Sequence, residues 1–155
     1  MIQRIQTVYL LLVTIFYVVA LFFPYASFMT ADGVEYTLSF KGIAEAGDAS
    51  WHWTMTTAWY SILMAIIPAI SLITVNLYKY RPLQIRLTIF NIVLMIGSYG
   101  LFFMVKALVA NQIPYEVYSL SWTFIIPILC IILSYLAIRA IAKDEALVRS
   151  LNRVR

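Results

Sequence analysis

Residues 57–109 read TAWYSILMAIIPAISLITVNLYKYRPLQIRLTIFNIVLMIGSYGLFFMVKALV. The charges in this stretch are Lys79, Arg81, Arg86 and Lys106, all basic, and three of them fall in the short segment KYRPLQIR. Each flank is apolar for about 20 residues, enough for a helix to cross roughly 30 Å of hydrocarbon. The stretch therefore predicts two spans, Thr57–Tyr78 and Leu87–Val109, folded back on each other through a basic turn.

Two further runs of the same kind lie outside it, Ile5–Phe23 and Trp122–Ile141. Across 155 residues the chain is 63% hydrophobic and 12% charged, with a mean hydropathy of +0.89. That composition excludes an ordinary soluble domain. The fold class predicted is an all-α membrane protein, a single domain over 1–155 formed as a four-transmembrane-helix bundle. The first run has no small-x-small cleavage site before PYASF, so it reads as a retained span. Pro68 and Pro127 lie within spans two and four, where each is expected to remove a backbone hydrogen bond and bend the helix.

Basic residues orient the bundle. Arg4, Lys79, Arg81, Arg86, Arg139, Lys143, Arg149, Arg153 and Arg155 fall on one side of it, leaving Lys41 and Lys106 for the other. The positive-inside rule puts both termini in the cytoplasm. Trp51, Trp53, Trp59 and Trp122 cluster at the opposite interface and Tyr78 and Tyr80 at the cytoplasmic one, as aromatic belts do. Insertion alone accounts for the net charge of +4, and no nucleic-acid partner is expected.

The periplasmic loop 24–56 is the one segment outside the membrane large enough for structure of its own. In GVEYTLSFKG, Val34, Tyr36, Leu38 and Phe40 alternate with polar residues, the pattern of a strand with one greasy face. YASFM ahead of it reads as a partner strand, with Asp32-Gly33 closing a small β-hairpin. Its apolar face would rest on helix ends, on Trp51 and Trp53, or on another protein. KGIAEAGDAS reads as loop or a helical turn, and ANQIPYEVYSLS as a short loop turned at Pro114.

Little in the spans suggests chemistry. Transporters and intramembrane enzymes place ionisable groups at depth; here no Asp, Glu, His or Arg sits mid-span, and Lys106 is close enough to the outer end to snorkel. His52 has no His or Cys nearby for a metal site, and Cys130 reads as a buried inert thiol. No catalytic or cofactor motif is present, and neither enzyme activity nor a cofactor is expected. Asn91, Ser98, Tyr99 and Ser134 are the residues that would line a polar cavity. Gly97 and Gly100 would let another helix approach span three.

The charged end, IRAIAKDEALVRSLNRVR (138–155), has no Gly or Pro, and span four is expected to run on as a cytoplasmic helical tail over 142–155, either as one helix or bent near Lys143 to lie along the membrane. Wound as a helix, Ile141, Leu147, Val148, Leu151 and Val154 share one side, interrupted by Asp144, and Arg139, Lys143, Arg149 and Arg153 share the other. The apolar stripe is a candidate docking face for a partner and the basic side a candidate contact for anionic lipid. Glu145 can pair with Arg149.

The termini MIQRIQTVYLLL (1–12) and AIRAIAKDEALVRSLNRVR (137–155) resemble those of a family of short four-span inner-membrane proteins of Bacteroidota classed as domain of unknown function 4293. The resemblance covers the chain in length and span count, with its specific text at these ends. It implies a bacterial inner (cytoplasmic) membrane location, carries over no catalytic residue, and implies that the tail is more than a basic flank. The function expected is a non-enzymatic accessory or scaffold subunit that contacts membrane lipids and a protein partner. A small transporter or channel for an apolar or neutral substrate is the alternative, and an enzyme acting on lipid near His52 and Lys106 comes third.

Overall fold

The computed structural model describes residues 3–45, 55–78, 80–112 and 115–153. The chain is mostly helical, with α1 (Gln3–Leu21), α2 (Met55–Asn76), α3 (Arg81–Gln112) and α4 (Ile126–Arg153), and a short 3-10 turn, Trp122–Ile125, leading into α4. Three stretches, Thr57–Asn76, Arg81–Asn111 and Trp122–Ala146, are long and apolar enough to cross a membrane, and Ile5–Leu21 is a shorter apolar helix. The outward faces are as greasy as the inward ones: Ile62, Ile73, Phe90, Val93, Ile96, Ile128 and Ile132 are about half exposed or more. Helices apolar all round belong in lipid.

The inward residues step by four and three. They are Gln6, Leu10, Val13, Tyr17 and Ala20 on α1; Thr57, Tyr60, Met64, Ile67, Ser71 and Thr74 on α2; Gln84, Thr88, Asn91, Met95, Ser98, Phe102, Val105 and Val109 on α3; and Cys130, Ser134, Ala137, Ile141 and Asp144 on α4. That heptad spacing keeps one seam of each helix on the bundle axis and favours left-handed packing. α1 packs against α2 and α4, and α3 against the same two. α1 and α3 run toward the sheet, α2 and α4 away from it.

The sheet is larger than the sequence suggests. β1 (Ala26–Thr30), β2 (Glu35–Ser39), β3 (Gly42–Glu45) and β4 (Tyr115–Leu120) form one antiparallel sheet in the order β3-β2-β1-β4. The β1–β2 hairpin follows expectation: Thr30 N–H donates to Val34 O at 3.0 Å and Gly33 takes φ +79°. Two expectations are corrected. KGIAEAGDAS contributes β3, because Gly42 at φ +115° turns the chain back and Ile43 pairs with Leu38. The second loop contributes β4, whose Ser119 pairs with Ser27 on β1 through hydroxyls 2.8 Å apart. Ala26, Phe28 and Leu38 are fully buried on the face turned to the helices; the expected supports Trp51 and Trp53 lie outside the described residues, as does Pro114.

Three helix expectations also change. The α2–α3 connection is tighter than KYRPLQIR implies, because Pro82 sits in the first turn of α3, where its missing N–H has no intrahelical partner to lose. Pro127 is likewise the second residue of α4 and breaks no ladder bond, whereas Pro68 does lie inside α2. Gly97 and Gly100 face outward with nothing within 4 Å of an added Cβ, so no helix of this chain uses them for close approach.

Candidate functional site

Two internal features gather the polar residues of the helices. The first is a junction at the end of the bundle away from the sheet. Arg81, in the first turn of α3, brings Nη2 to 2.9 Å from Asp144 Oδ2, a charge contact without the alignment of a hydrogen bond, and its Nη1 donates to Asp144 O at 3.3 Å. Gln6 on α1 donates from Nε2 to Ala140 O at 3.1 Å. Asp144 thus breaks the apolar side of the tail because it is the tail's anchor to α3.

Of the tail residues singled out from sequence, Ile141 is fully buried in the chain's own core, so it belongs to no free docking face. Arg139 and Lys143 are exposed. Helix α4 runs unbroken through Arg153, the first of the two expected forms. The side chains of Leu147, Val148, Arg149, Leu151 and Arg153, and all of Val154, lie outside the described residues.

The second feature is a polar layer partway along the bundle. Arg81 meets Asp144, and the antiparallel helices keep that register: Asn91 is ten residues after Arg81, and Ser134 ten before Asp144, so the two are level. Tyr60 and Phe102 rings lie 6.4 Å apart; Ser71, eleven residues after Tyr60, is therefore level with Asn91, eleven before Phe102. Ser71 Oγ donates to Leu10 O at 3.1 Å. One layer thus holds Leu10, Ser71, Asn91 and Ser134, about 15 Å along α3 from Arg81 at 1.5 Å per residue.

The sequence-predicted cavity residues separate here. Asn91 and Ser134 share the layer, and Asn91 Oδ1 and Ser134 Oγ are buried without a hydrogen-bond partner. Ser98 lies two turns nearer the sheet, donates to Met95 O at 2.6 Å and faces the buried hydroxyl of Tyr17. Tyr99 turns aside and donates to Phe124 O at 2.8 Å. Cys130, fully buried as expected, sits against Val13 O at 3.9 Å.

Toward the sheet the interior becomes aromatic. Tyr25 meets Tyr60 edge to face at 5.5 Å, and Phe102 and Phe124 lie 4.9 Å apart behind them. Tyr25, the first residue of the expected strand YASFM, instead precedes β1 at the bend after Pro24 and is buried in the core. Burial pushes its phenol well above the ordinary range. Lys106 lies 3.4 Å over the ring of Tyr118 on β4, which is where its ammonium turns from the apolar belt.

The arrangement draws on described residues from Gln6 near one end to Tyr115–Leu120 at the other, and a family match spans both. The family described as Domain of unknown function (DUF4293) matches residues 2–154. The chain belongs to that family. No curated protein matches it.

Proposed function

We propose that the chain is a non-enzymatic accessory or scaffold subunit of a complex in the bacterial inner membrane, crossing it four times with both termini in the cytoplasm and the sheet in the periplasm. The observation that carries this reading is the packing of the bundle axis. The inward seams are filled by the chain's own side chains, and among the described residues the acidic or basic group on them, Asp144, sits at one end and is paired. An interior so filled offers little to a substrate, and the built surfaces lie at the two ends, in the sheet and the tail.

Support for four spans comes from register. Arg86 and Lys106 are twenty residues apart on α3, about 30 Å of helix rise, the thickness of a hydrocarbon core. In the register fixed by Arg81–Asp144, Arg86 is level with Arg139, and Trp122 is level with Phe103, just inside Lys106. Helix α1 shares this depth, since Gln6 reaches Ala140 and Cys130 reaches Val13. The exposed tail residues Arg139 and Lys143, with the apolar positions Leu147, Val148, Leu151 and Val154 and the basic Arg149 and Arg153, supply the cytoplasmic contact for protein or lipid.

The test is purification of the full chain in mild detergent with quantitative mass spectrometry. Stoichiometric recovery of another membrane protein is expected, and recovery without any partner of different sequence overturns the reading.

A second reading, a small transporter or channel for a neutral substrate, is favoured by the unpartnered Asn91 Oδ1 and Ser134 Oγ at mid-bundle. Labelling of a Ser134→Cys variant by a water-soluble thiol reagent in sealed vesicles would support it, and a thiol that stays unreactive would count against it.

A further inference from the structure

The two edges of the sheet differ. On β3, Gly42, Ile43 and Ala44 are buried, so that edge is covered; on β4, every residue from Glu116 to Leu120 is exposed. Proteins ordinarily blunt an open edge with charge, proline or a bulge. Here a register shift at Met29/Thr30 ends the regular ladder beside Glu116, and the regular stretch beyond it, Val117–Tyr118–Ser119–Leu120, has neither charge nor proline.

Two hydrogen bonds fix which peptide groups face outward. Thr30 N–H donates to Val34 O, so Thr30, Phe28 and Ala26 direct their peptides at β2, leaving Ser27 and Met29 to serve β4. Ser121 N–H donates to Tyr25 O at 3.0 Å, so Ser121, Ser119 and Val117 point at β1. Both give the same phase, and it leaves the N–H and C=O of Tyr118 and Leu120 directed at the open edge.

We propose that this edge pairs with the same edge of a second copy of the chain, joining two sheets into one eight-stranded sheet across a two-fold axis along the membrane normal. The inference rests on the membrane orientation proposed above and names one partner within the scaffold reading. The face of the sheet bearing Ala26 and Phe28 lies on the helix ends, so the sheet lies across the bundle. Two copies inserted the same way then meet at the same height, with the same face down and β4 strands antiparallel, as a two-fold axis requires. The register that uses both outward residues of each strand puts Tyr118 opposite Leu120 of the second copy and Ser119 opposite Ser119. No like charges are opposed, and the half-exposed Tyr118 and Leu120 cover each other.

The test is disulfide cross-linking of full-length chain in membranes. Ser119 would be a non-hydrogen-bonded pair with its own copy, with Cα atoms about 4.5 Å apart, inside the range a disulfide spans. Ser119→Cys is expected to give an oxidant-induced dimer, whereas Val117→Cys, placed two residues off the axis, is expected to stay monomeric. Ser119→Lys and Ser119→Asp, changes on an exposed aqueous face, should each abolish the dimer alone and restore it when co-expressed. Absence of a Ser119→Cys dimer, cross-linking at Val117→Cys of equal or greater yield, or dimers in the Lys variant alone would each overturn the proposal. A monomer that still copurifies with a different protein leaves the scaffold reading standing, and a dimer with no other partner does the reverse.

Discussion

Arg81 and Asp144 stand 2.9 Å apart although 63 residues separate them, joining the first turn of α3 to the last third of α4. Their side chains are 20% and 13% exposed, which leaves the pair partly screened by solvent. Coupling measured by a cycle of Arg81→Ala, Asp144→Ala and the double variant is expected at about 1–2 kcal/mol in thermal unfolding in lipid or detergent. Additive losses would show that the two charges act independently and that Gln6 holds the tail.

Asn91 Oδ1, like Ser134 Oγ in the same layer, is buried without a hydrogen-bond partner. An unpaired buried polar group costs roughly 1–3 kcal/mol, so Asn91→Leu, close in volume, should leave the unfolding midpoint unchanged or raise it. A fall of several degrees would mean that Asn91 makes an interaction in the membrane that the packing within one chain does not provide.

The glycines offer an internal contrast. Gly33 adopts φ +79°, where an L side chain costs roughly 1–2 kcal/mol, so Gly33→Ala should destabilise the sheet by about that much. Gly100 is helical with open space around it, and Gly100→Ala should gain roughly 0.5–1 kcal/mol. Parallel unfolding measurements that gave both changes the same sign would contradict the assigned backbone.

Tyr25 is buried with its hydroxyl unpartnered and its phenol raised above the ordinary range, the cause being burial. The unfolded chain releases this proton near pH 10, the folded chain only above that. The phenol therefore contributes stability that is whole below pH 10 and falls away as the pH rises beyond it. Tyr25→Phe should match or exceed the parent in stability at neutral pH and reduce the alkaline loss, read as unfolding midpoints between pH 8 and 11.

If the tail is a docking surface, Leu147→Ser with Leu151→Ser should leave membrane insertion intact and at least halve the yield of copurified partner. Both charges and helix length are kept, so unchanged recovery would reduce the tail to an anchor.

The helices were legible because a hydrocarbon slab imposes one length and one composition on whatever crosses it, and α2, α3 and α4 meet both demands. The β1–β2 hairpin was legible because its signals are local: alternation in Glu35–Ser39 and the Asp32-Gly33 turn. β4 was not, since YEVYSL is six residues between two long helices and its partner, Ala26–Thr30 of β1, lies far back in the chain. In the candidate layer the residue types were readable, but their grouping was not. Asn91 and Ser134 come level through the offset between α3 and α4 that Arg81 and Asp144 mark, whereas Tyr99 is drawn aside by the carbonyl of Phe124.

The placement of β4 beside β1 also orders events during synthesis. When α1, the three-strand meander and α2 have been made, the edge of β1 that will receive β4 is still open, and it stays so until the whole of α3 has followed. For that interval Ser27 and Met29 present free peptide groups to the surroundings, and closure is a long-range step with a large loop entropy to overcome. Maturation of the sheet is therefore tied to the arrival of the third helix, and a chain stalled before Tyr115 would carry an unfinished edge open to any passing strand.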